Sequence, residues 1–89
     1  MDRHAAYRIA TQLLERYRAL PFADLVAHID HRGQERIPVS TSHELLAEVT
    51  VNWADSRREK LRIDVEIDAC STFRLERVEE HVIVSPAKN

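Results

Sequence analysis

The feature that most constrains this chain is a change of hydrophobic period about a third of the way along it. Up to that point Ala6, Ile9, Ala10, Leu13, Leu14, Tyr17 and Leu20 recur every three or four residues, placing them on one stripe of an α-helix. Asp2 is a cap for the first amides, and Arg16 and Arg18 fall in the last turn, where the helix dipole favours cations. Pro21 ends this helix and suits the first turn of another, whose stripe is Phe22, Leu25, Val26 and Ile29. Gly33, the single glycine, stands where a helix C-terminus commonly needs a left-handed residue. The expected helices are about 2–20 and 21–31.

Beyond Gly33 the period becomes two. Leu45, Ala47, Val49, Val51 and Trp53 alternate with Glu48, Thr50 and Asn52, and Leu61, Ile63, Val65 and Ile67 alternate with Arg62, Asp64, Glu66 and Asp68. Each run is a half-buried strand. The polar segment Ala54 to Lys60 is a hairpin loop that returns the chain antiparallel. Ile37 and Val39 flank Pro38, which has no N–H for a ladder and so belongs on an edge. After a turn at Cys70–Thr72, Phe73 and Leu75 continue the odd phase, but Val78 breaks it and Val82, Ile83 and Val84 are apolar on both faces. That slip predicts a bulge in the last strand. The expected strands are about 36–40, 45–54, 60–69 and 72–84.

Helices first and a strand meander second predict an α+β fold. Two N-terminal helices pack on one face of a three- to four-stranded antiparallel sheet, because a one-sided sheet needs an apolar cover. With 89 residues the chain is expected to be a single domain, 1–89, and its 44% hydrophobic and 31% charged residues are ordinary globular usage. A net charge of −2 creates no strong field toward a phosphate backbone or an anionic membrane. The one cysteine, Cys70, excludes an intrachain disulfide, and no apolar run fits a secretory signal or a membrane span. The expected location is cytoplasmic, without membrane association.

Several constellations invite chemistry. Asp24, His28 and His31 are spaced i, i+4, i+7, so a helix reaching residue 31 would carry all three on one face as ligands for a divalent cation. Amphipathicity alone also explains polar residues there, since Leu25 and Ile29 must face inward. Cys70 with His81 is the sole nucleophile–base pairing, and it lacks both an adjacent glycine and a following helix N-terminus to activate the thiol. Asp64, Glu66 and Asp68 resemble a carboxylate site, yet alternation with Arg62 on the same face and Arg74 on the next strand explains them as a solvated charge ladder. The arginines of the first helix are not interleaved with exposed aromatics, so nucleic acid is not the expected partner. No catalytic residue and no cofactor is predicted.

What remains is apolar surface beyond what two short helices cover: Trp53, Leu46, Phe73 and the run Val82, Ile83, Val84. Small domains often gain missing burial by association. The expectation is therefore a non-enzymatic interaction module, a homodimer or a partner of another protein. It would use the sheet edge from His81 to Val84 or the residues around Trp53. The alternative is a small ligand- or metal-binding protein using Asp24, His28 and His31.

Overall fold

The computed structural model describes residues 3–40, 43–70 and 75–86. The element order is α1 (Arg3–Arg18), α2 (Phe22–Ala27), β1 (Gly33–Ser40), β2 (His43–Trp53), β3 (Leu61–Cys70) and β4 (Leu75–Val84). The strands form one antiparallel sheet in the order β1-β2-β3-β4. This is the α+β class that the change of period implies. Every strand neighbours the next in sequence, because short connections return each strand beside its predecessor.

Register explains the core. Val49 lies opposite Val65, Val51 opposite Ile63 and Trp53 opposite Leu61, so the odd residues of β2 and β3 share one face. Leu61, Ile63, Val65 and Ile67 are fully buried there. Above them lies α1, whose Ala6 and Ala10 are also fully buried and whose contacts fall on β3 and β4. Small side chains at i and i+4 let the helix backbone approach the sheet closely. The C-terminal end of α1 is tied to β1, with Arg16 3.1 Å from Glu35. The cover is unequal, since α2 is only six residues long and meets the sheet at β2.

Three expectations are corrected. The second helix ends at Ala27, not near His31. His28 closes it by donating its N–H to Leu25, and Asp30 then takes a left-handed φ of 71°. Asp tolerates that region better than most residues, so the reversal needs no glycine. Gly33 is accordingly no helix cap: its φ is not positive, and it lies in β1 opposite Val49. Its role is steric, because a Cβ at Gly33 would sit 2.8 Å from the Tyr17 hydroxyl.

The third correction concerns the bulge. β4 pairs with β3 without a shift from Leu75 to Val84. The register sets Val78 opposite Ile67, Val82 opposite Ile63 and Val84 opposite Leu61, so the even residues of β4 face the helices. The register pairs odd residues of β3 with even residues of β4, and no bulge is required. Glu80 lies on the helix-facing side opposite Val65, half-buried at the sheet's margin. The irregularity of this sheet lies instead in β1, between Pro38 and Ser40. Phe73 and Arg74 lie outside the described residues.

The loop from Ala54 to Lys60 forms the expected hairpin. Asp55 organises it, its Oδ1 accepting the Glu59 N–H at 2.9 Å, while Arg58 adopts a φ of 58°. Ala54 donates to the Lys60 carbonyl at 2.8 Å and closes the loop.

Candidate functional site

The residues proposed for metal binding are placed by the early end of α2. His28 Nδ1 lies 2.8 Å from the Asp24 carbonyl oxygen, so the imidazole N–H is turned back on its own turn of helix. The ring also packs edge-on against Tyr17, with centroids 5.6 Å apart. His31 follows the left-handed Asp30 and lines a shallow depression with Arg32, Thr50 and Asn52, away from Asp24 and His28. Among the described residues no group of three His, Cys, Asp or Glu side chains is arranged to hold a metal ion.

Cys70 and His81 are separated by the ladder itself. Cys70 pairs with Leu75 at one end of the β3–β4 hairpin, whereas His81 pairs with Asp64, about 20 Å along the strand at 3.3 Å per residue. The two residues therefore stand at different levels of the β3–β4 ladder.

The open face of the sheet carries the charge ladder. Arg62 donates to Asp64 at 2.9 Å. Arg77 donates to Asp68 at 2.7 Å and lies 4.0 Å from Glu66 and 3.9 Å from Glu79. The Asp68 carboxylate, through its hydrogen bond and its charge, holds the Arg77 guanidinium above its usual pKa. Arg32 reaches Glu48 at 3.2 Å, and Arg36 reaches Glu44 at 3.6 Å. Alternation exposed Arg62 and the acids in the sequence, but Arg77 was missed as the organising cation. Its place depends on the parity of β4, which only the pairing reveals.

The apolar surplus is smaller than the sequence implied. Trp53 is half-buried and packs on Phe22, with ring centroids 6.4 Å apart, so it caps the core beneath α2. Val82 and Val84 are half-buried on the helix side, joined to the same core. Ile83 points to the open face and is 47% exposed, with Leu46 at 37% on the same face and Tyr7 at 42% on α1. The C-terminal run is therefore split between two faces.

The two edges of the sheet differ in kind. β1 contains Pro38, which has no N–H, and a register shift between Pro38 and Ser40. Both devices hinder a further strand from adding to it. β4 has neither: it runs regularly from Leu75 to Val84, with Pro86 only beyond its end. Its inner side is bonded to β3, and its outer row of backbone groups has no strand beyond it among the described residues.

No helix among the described residues is long and apolar enough to cross a membrane. Comparison of the chain with family models, with curated proteins and with solved structures found no match, so the functional reading rests on this geometry.

Proposed function

We propose that the protein is a small non-enzymatic interaction module that self-associates through the outer edge of β4, with the helices serving as the cover of one sheet face. The observation that carries this reading is the asymmetry of the edges: β1 is guarded by Pro38 and its register shift, and β4 is regular over its whole length. An unguarded edge offers a row of N–H and C=O groups that a further strand satisfies, and backbone pairing of this kind is a general mode of protein recognition. The polar ladder on the open face and the tucked position of Trp53 favour the edge over the alternative surface around that indole.

Amide hydrogen exchange measured across a range of protein concentrations tests the proposal. Outward-directed amides between Arg77 and Val84 become more protected as concentration rises, while those from Gln34 to Ile37 do not change. A protein that sediments as a monomer at high concentration, or one whose protection falls on Phe22 and Trp53 instead, would refute the edge as the interface.

A further inference from the structure

We infer that the occupant of the β4 edge is the β4 strand of a second copy, antiparallel, with the twofold axis passing at His81. This rests on the self-association reading above and adds the register to it. In a sheet continued across a perpendicular twofold axis, each residue faces the one equally far beyond the axis on the other strand, and both point to the same side.

The charges of β4 sort the possible registers. An axis at Glu76, Arg77, Glu79 or Glu80 sets that residue against its own copy, and an axis at Val78 sets Glu76 against Glu80 twice, which offsets the two Arg77–Glu79 pairs it forms on the open face. Like charges directly opposite one another destabilise an antiparallel pair. An axis at Val82 brings Pro86, which has no N–H, opposite Val78 and shortens the regular overlap. An axis nearer either end leaves little strand to pair.

With the axis at His81 no two acids are set directly opposite, and Pro86 meets only Glu76, beyond the regular overlap of Val78 to Val84. Val78 meets Val84 on the helix side and Glu80 meets Val82. On the open side Glu79 meets Ile83 and stands diagonal to the imidazole of the second copy, within the reach of long side chains. The half-exposed Ile83 then gains a neighbour across the junction. The two histidines face each other at the axis, each beside Asp64 of its own chain, with Arg62 and Glu66 next along β3. The pattern Glu76, Arg77, Glu79, Glu80 thus acts as a register key for self-pairing, which an unrelated strand would not need.

A cysteine placed at the axis reads this register directly. In a Cys70→Ser background, His81→Cys, Val82→Cys and Glu79→Cys are oxidised mildly and separated without reductant. Residues directly opposite in antiparallel strands have Cα atoms about 4.5–5.5 Å apart, inside the range a disulfide spans. His81→Cys cross-links at least about tenfold faster than the other two if the axis is at His81. Faster cross-linking at position 82 or 79, in a protein that sediments as a dimer, overturns the register and leaves self-association standing. A monomeric unmodified protein overturns both.

A second pair of variants avoids cysteine chemistry. Ile83→Glu sets a carboxylate against Glu79 of the second copy and weakens dimerisation about tenfold, since the symmetry counts each repulsion twice, whereas Ile83→Lys tightens it. Equal effects of the two would count against the register.

Discussion

The two edge strands of this sheet answer the same physical problem in opposite ways. β1 contains Pro38, which has no N–H, shifts register between Pro38 and Ser40, and is held to α1 through Arg16 and Glu35. β4 is straight in register and buries Val78 against Ile67 beneath α1. The lesson is that burial and edge protection are separate properties. The better-packed edge, whose face α1 covers, is the one whose ladder carries neither a proline nor a register shift.

The largest test of that comparison is a charge on each edge's inward face. Val78→Asp buries an unpaired carboxylate at a site only 1% exposed and should cost about 3 kcal/mol or more. Ile37→Asp, at a half-buried position of β1, should cost about 1 kcal/mol. Urea midpoints for the two variants would erase the contrast if they shifted alike.

Gly33→Ala comes next, at about 1 kcal/mol, because the new Cβ meets the Tyr17 hydroxyl at 2.8 Å. In a Tyr17→Phe background that penalty should disappear, and a double-mutant cycle measures the coupling. A penalty that persists would mean that β1 is held by something other than the fit of Tyr17 over it.

Arg77→Ala should lower the thermal midpoint slightly, with the difference shrinking as salt screens the ladder of Asp68, Glu66 and Glu79. The smallest effect on stability belongs to Pro38→Val, below about 0.5 kcal/mol, as expected of an exposed edge position. Its consequence lies in association: removing a guard from β1 should create a second, concentration-dependent contact seen by sedimentation. If Pro38→Val stays unchanged while wild-type protein associates, proline is not the guard.

Much of the fold was legible because local periodicity and burial agree in the central strands. In β2 and β3 each odd residue from Leu45 to Ile67 that is apolar in the sequence faces the helices, so alternation alone set the buried side. Pro38 likewise announced an edge by its missing donor. The phase of β4 was not legible, since a hairpin can reverse which parity faces inward, and Leu75 imitated the wrong phase. The end of α2 was hidden by Ile29, which extends the apolar stripe past Ala27 into the turn; with it went the shared face of Asp24, His28 and His31. Gly33 could not be read locally at all. Its constraint is Tyr17, sixteen residues earlier, and appears only when α1 lies over β1.

That placement of the lone glycine has a consequence for how the chain could be improved. With glycine committed to a close contact, the tight reversals are made by Asp30 and Arg58, both L-residues at positive φ. Each holds a conformation in which a side chain is disfavoured by about 1 kcal/mol relative to glycine. Arg58, exposed in its loop, is therefore where a protein engineer would look for thermal headroom: Arg58→Gly relaxes the backbone without touching core, ladder or edge.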